Sequence, residues 1–194
     1  MPKNLCDIRE SCLISNQMGN HYQANPVLFI ITIILAAGLL IWGLTYLLNW
    51  ISYQYLKRRV LRRRHWDLNI CCGNTDGGGL NADIKSHNGV PNFCRIDDIY
   101  HLPFADQEFA HVLCSHTIEH VERPAEFYRE LQRVGQRVTL KIPPLWDISA
   151  ALNVLEHKWL FLTFRTEHDQ LPRYVRLPLA RLVQKIIGGQ RIKA

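Results

Sequence analysis

The chain has 194 residues, 47% of them hydrophobic, and a formal net charge of +6. That length admits one domain of ordinary size beside an anchor, and the composition excludes wholesale disorder. The positive charge is local. Lys57, Arg58, Arg59, Arg62, Arg63 and Arg64 form one cluster; Arg173, Arg176, Arg181, Lys185, Arg191 and Lys193 follow Asp169 with no acidic residue among them. Removing those twelve from +6 leaves the rest of the chain at −6. Such basicity calls for a local partner, anionic lipid headgroups before all else. No recognition helix, stacking platform or zinc finger is recognisable, so no nucleic acid is expected.

The first segment, 1–25, balances Lys3 and Arg9 against Asp7 and Glu10. No formally charged side chain then occurs from Tyr22 to Leu56, and 27–50 is a nearly continuous apolar run of 24 residues. About 20 helical residues span a hydrocarbon core of roughly 30 Å. A transmembrane helix is therefore expected over 26–52. Pro26 suits its first turn, where a missing N–H costs nothing. Trp42, Tyr46, Trp50, Tyr53 and Tyr55 crowd its far half, as an interfacial aromatic belt does. The run is too long for a signal-peptide core, and its basic residues follow it instead of preceding it.

The charge contrast across this run predicts that 1–25 is exterior and that everything after it is cytoplasmic. The segment 53–66 reads as a basic juxtamembrane linker and 67–194 as a soluble domain. Cys71, Cys72, Cys94 and Cys114 then sit in a reducing compartment and should be thiols, whereas Cys6 and Cys12 lie where a disulfide can form.

Within 67–194, apolar runs predict strands at 68–72, 80–84, 92–96, 110–115 and 137–142, with a turn-rich stretch over 74–79. A sixth strand fits 159–164. The clearest helix opens at Pro124, places Phe127, Leu131 and Val134 on one face, and stops at Gly135. An amphipathic helix fits 177–187. Parallel strands joined by helices define an α/β fold, a Rossmann-like, doubly wound, mostly parallel sheet, reduced in size.

Ligands of such sheets bind at the carboxyl ends of the strands. Gly73, Asp83, Asp97, Asp98 and His116 fall there in order. A glycine turn lets the backbone approach a ligand, a carboxylate ending the second strand accepts from ribose hydroxyls, and one after the third accepts from an adenine amino group. No basic residue lies in the glycine loop, so an adenosine-containing ligand fits better than a free phosphate. Taken singly, each residue also has a purely structural reading as a turn or strand end.

The segments LNICCGN (68–74) and GLNADI (79–84) resemble the cofactor-binding start of small class I S-adenosylmethionine-dependent methyltransferases. Asp97 and Asp98 with LPFAD (102–106), FAHVLCSH (109–116) with EHV (119–121), and ELQRVG (130–135) resemble later segments of that family, in the right order. The resemblance implies S-adenosylmethionine as cofactor, held by Gly73, Asp83 and Asp97 or Asp98. It also implies methyl transfer by direct displacement, with His116 and His120 as the bases that take the acceptor's proton. Two features depart from the family: Cys71 stands where a glycine is expected, and six residues separate Gly73 from Leu80, too few for the usual helix. With the anchor, these features describe a membrane-bound methyltransferase acting on a lipid-soluble or membrane-associated acceptor.

Two other readings compete. His116, Glu119 and His120 spell H-x-x-E-H, which resembles the inverted zinc-protease motif, with Glu156 available as a further ligand. That motif needs a helix, and here it abuts a strand, so no metal is expected. The remaining reading is a catalytically degenerate domain that scaffolds a membrane complex or binds a protein partner there.

Overall fold

The computed structural model describes residues 25–187, and these fall into two compact units that divide after Gly43. The expected exterior segment, with Cys6 and Cys12, lies outside the described residues apart from Asn25.

Helix α1, Pro26–Asn49, buries none of its residues. At 1.5 Å per residue its 24 residues extend about 36 Å. The helical path then continues through a π-helical stretch, Trp50–Leu56, into α2, Lys57–Arg63. Pro26–Arg63 is thus one helix long and apolar enough to cross a membrane. The segment 53–66 is not an extended linker: it is helical to Arg63, and β1 begins at Trp66.

The strands are β1 (Trp66–Ile70), β2 (Gly78–Asp83), β3 (Phe93–Arg95), β4 (Phe109–Ser115), β5 (Gly135–Lys141), β6 (Trp159–Phe161), β7 (Glu167–His168) and β8 (Tyr174–Arg176). Six of them form one sheet in the order β3-β2-β1-β4-β5-β7. Its first five members pair in parallel and only β7 is antiparallel, against β5. This is the mostly parallel, Rossmann-like α/β sheet the sequence implied.

Helix α3, Pro124–Val134, links β4 to β5 and buries Phe127, Leu131 and Val134. They share one core with Leu68, Ile70, Val112, Cys114 and Leu140. Each such side chain contributes about 1.5–3 kcal/mol. Leu113, which alternation points to the opposite face, packs instead with Trp66 and with Val60 of α2. Trp66 Nε1 donates to Val60 O at 3.1 Å. The basic helix α2 therefore covers sheet surface with its single buried residue while its arginines face outward.

Gly135 ends α3 by a route other than the expected left-handed stop. Its φ is −121° and it starts β5 at once. It is small for a packing reason, since a Cβ there would lie 2.3 Å from Val112 Cγ2.

Two strand expectations need correction. Gly78 and Gly79, read as part of a turn, belong to β2, so only residues 71–77 join β1 to its parallel neighbour. Parallel neighbours ordinarily need a crossover of a dozen residues or more. Buried asparagines take the place of the missing helix. Asn69 Nδ2 donates to Thr75 O and to Asn81 Oδ1, both at 3.0 Å. Asn81 Oδ1 accepts from Gly77 N at 2.9 Å, and Asn81 Nδ2 donates to Pro91 O at 2.8 Å. The second correction concerns 159–164. Only Trp159–Phe161 is extended, and it pairs with β8 in a separate two-stranded sheet, because β7 occupies the edge of β5. The short helices α4 (Ile148–Ala151) and α5 (Ala180–Ile187) complete the unit, α5 starting three residues later than expected.

Candidate active site

At the carboxyl ends of β1, β2 and β4 the chain leaves a cavity of about 220 Å³. Gly73, Asp83, His116 and His120 all line it, together with Cys71, Cys72 and His87. Tyr53 and Lys57, from the helical segment after α1, complete the wall. The sequence offered no signal for those two, because helix and strand ends meet only in three dimensions.

Three residues of this wall have left-handed backbones: Cys71 (φ 52°), Gly73 (φ 54°) and His116 (φ 53°). Glycine adopts that conformation freely, whereas a residue with a Cβ is strained by about 1–2 kcal/mol. Cys71 thus has a glycine-type backbone where the resembled family has glycine. Strain of this sort concentrates at functional sites, where surrounding structure holds it.

Asp83 Oδ2 accepts from Gly73 N at 2.9 Å and lies 3.4 Å from His87 Nε2, while Asp83 Oδ1 accepts from Lys85 N at 3.1 Å. A carboxylate fixed in this way presents its remaining lone pairs to the cavity. Nothing lies within 4 Å of where a Cβ on Gly73 would project, so that backbone is open to a ligand. Asp97 and Asp98 are not among the lining residues; both are exposed after β3. Asp98 closes a turn, accepting from Tyr100 N at 2.8 Å and lying 2.9 Å from His101 Nδ1, and these bonds hold its carboxyl below the usual range.

His116, at the end of β4, packs its ring 4.9 Å from that of Tyr53. Burial lowers its pKa against the opposing pull of Glu119, whose Oε1 lies 3.5 Å from His116 Nδ1. At neutral pH it is an uncharged base. The pentad 116–120 is turn, not helix, so the protease geometry is absent. Glu156 supplies its main chain: its carbonyl lies 2.9 Å from His120 Nδ1. The thiols are poor nucleophiles, since burial pushes Cys72 up to about 12 and Cys71 well above its ordinary value. Cys71, Cys72, Cys94 and Cys114 are all unbridged.

Residues 58–137 match the family described as a methyltransferase domain. No curated protein matches the chain. Among solved structures, a SAM-dependent methyltransferase from Thermotoga maritima aligns at 17% identity and TM-score 0.39, covering 56% of this chain and 58% of that one. A Pyrococcus horikoshii protein aligns at 18% and 0.39, covering 73% and 81%. A SAM-dependent methyltransferase from Aquifex aeolicus aligns at 14% and 0.36, covering 55% and 78%. The chain thus spans less than two thirds of the Thermotoga protein's length. Residues 58–137 are thus similar to a methyltransferase domain, and the cofactor that the sequence resemblance implies is S-adenosylmethionine. The residues present fit that group at its nucleoside end: an open glycine backbone lies beside a fixed carboxylate, as ribose hydroxyls require.

Proposed function

We propose that this protein is a membrane-anchored methyltransferase whose acceptor is lipid-soluble or membrane-associated. The observation that carries this reading is the composition of the cavity wall. Tyr53 and Lys57, on the helical segment that follows the apolar helix, line the same cavity as Gly73 and Asp83. That continuity along the chain supports an acceptor held in or at a bilayer. The cytoplasmic orientation, and anionic headgroups as partners of the basic helix α2 and the C-terminal basic segment, belong to the same proposal.

S-adenosylmethionine supplies an activated methyl group for direct displacement. Gly73 and Asp83 would hold the nucleoside, and Asp97 and Asp98 would serve only if the 96–101 turn closes over the adenine. His116, held neutral by burial, and His120 would take the acceptor's proton. The Tyr53 ring packs against that of His116.

One observation favours a second reading, a degenerate domain serving as a membrane scaffold or partner-binding module. The cavity of about 220 Å³ is below the range of roughly 300–1,000 Å³ usual for ligand pockets. Calorimetry of the detergent-solubilised chain with S-adenosylhomocysteine separates the two. Stoichiometric binding is expected; a folded protein that does not bind would favour the scaffold.

A further inference from the structure

Behind the cavity lies a cluster that shares only His120 with the residues proposed for methyl transfer. Glu119, His120 and His157 are respectively 1%, 4% and 6% exposed. Their ligand atoms all lie within 4.8 Å of one another. Neither carboxylate oxygen of Glu119 has a hydrogen-bond partner among the described residues, though the group is fully enclosed. A buried carboxylate without hydrogen bonds is costly, and such groups are ordinarily paired or coordinate metals.

The imidazoles are disposed for coordination. His120 Nδ1 lies 2.9 Å from Glu156 O, a contact that fixes the proton on Nδ1 and turns Nε2 toward Glu119 Oε1, 4.0 Å away. A backbone carbonyl in that role is the usual orienter of a metal-bound histidine. The His157 ring stands at 82° to that of His120, with centroids 4.7 Å apart.

We propose that Glu119, His120 and His157 bind one divalent transition-metal ion of the zinc type at the base of the cleft. Two imidazoles and one carboxylate form a donor set for zinc with an open fourth position. Ligand atoms around tetrahedral zinc lie about 3.4 Å apart, so side-chain rotations closing roughly an ångström suffice. His120 also lines the cavity, so the open position faces it and can hold water or an oxygen of a bound molecule. Lys57 and Lys141 lie near enough to Glu119 to share its charge, and they oppose a cation there. Neither ammonium reaches Glu119 as a hydrogen-bond donor, however, so the carboxylate stays available to a metal ion.

The zinc reading that the sequence argued against paired His116 with His120 on a helix and nominated Glu156. The fold replaces both with His157, which spacing alone did not single out.

The test uses the full chain, purified in detergent without a histidine tag and dialysed. Close to one zinc per chain is expected by elemental analysis. Apo-protein given cobalt(II) should develop ligand-field bands without thiolate charge-transfer absorption. Glu119→Gln and His157→Gln should each weaken zinc retention by roughly tenfold or more. Absence of both zinc and cobalt bands in folded wild type would overturn the site. So would retention unchanged in the two variants, or a thiolate band pointing to Cys71 or Cys72. If a variant fails to fold, the wild-type cobalt spectrum still decides. None of these measurements depends on cofactor binding.

Discussion

Asp83 and Lys141 show how differently a buried or half-buried charge can be placed. Asp83 is bonded to the Gly73 and Lys85 amides and faces the cavity. A hydrogen bond to a charged group is worth roughly 1.5–3 kcal/mol, so Asp83→Ala should weaken S-adenosylhomocysteine binding roughly tenfold to a hundredfold. His116→Ala should leave that affinity within about threefold, since the proposed function puts His116 at the acceptor end. Equal binding by wild type and Asp83→Ala would reduce the carboxylate to a brace for Gly73. Lys141 is fully buried, and its ammonium has no hydrogen-bond partner among the described residues. Burial pushes its pKa down to about 8, with Glu167, Glu119 and Asp147 pulling weakly the other way. The unfolded chain, at the ordinary 10.5, binds the proton more tightly. Stability due to this residue must therefore rise as pH climbs from about 8 to 10.5, by up to about 3 kcal/mol. Lys141→Met should be more stable than wild type at pH 7 and lose that advantage by pH 10.5, as denaturant midpoints would show. A constant difference across that range would mean that Lys141 is solvated.

At the scale of elements, the β1–β2 connection is the unusual part. A glycine-rich stretch invites a ligand-binding interpretation, yet Gly79 is small because strands meet there. A Cβ on Gly79 would lie 2.5 Å from Trp66 O and 2.7 Å from Asp67 O, both backbone atoms that cannot move aside. Gly79→Ala should therefore part β2 from β1 and destabilise the domain by about 3 kcal/mol or more. A thermal midpoint within a degree or two of wild type would show that the strands adjust. Gly73, with open space before it, should tolerate bulk and respond mainly through its left-handed backbone. The π-helical stretch Trp50–Leu56 is the other special element, carrying Tyr53 into the cavity wall. Such wide turns inside a helix recur at functional sites.

For the whole molecule, the decisive arrangement is that helical segment and site are continuous in the chain. Two residues, Arg64 and His65, separate the helix Pro26–Arg63 from the start of β1 at Trp66. If the apolar part crosses a bilayer, the charge contrast fixes the direction. In intact cells or vesicles, an N-terminal tag should be reached by impermeant reagents and a C-terminal tag protected. Reversed accessibility would sink the orientation and the compartment together. Replacing Lys57, Arg58 and Arg59 by glutamine should weaken sedimentation of the solubilised chain with anionic vesicles, by about 1 kcal/mol for each residue near the surface. Equal sedimentation with anionic and neutral vesicles would remove headgroups as a partner.

The sequence by itself determined the apolar helix, the five parallel strands and the positions of Gly73, Asp83 and His116, because each depends on local periodicity or on a strand end. Length, side-chain alternation and turn chemistry act within a few residues of each position. Only the tertiary structure decided that α2 would cover a sheet face, that Trp159–Phe161 would leave the main sheet, and that Asp97 and Asp98 would stay outside the cavity. It also decided that Tyr53 and Lys57 would join Asp83, and that His157 would meet Glu119 and His120. These outcomes depend on contacts between segments far apart in the chain. No pattern within one segment encodes which edge is already paired or which buried carboxylate still lacks a partner.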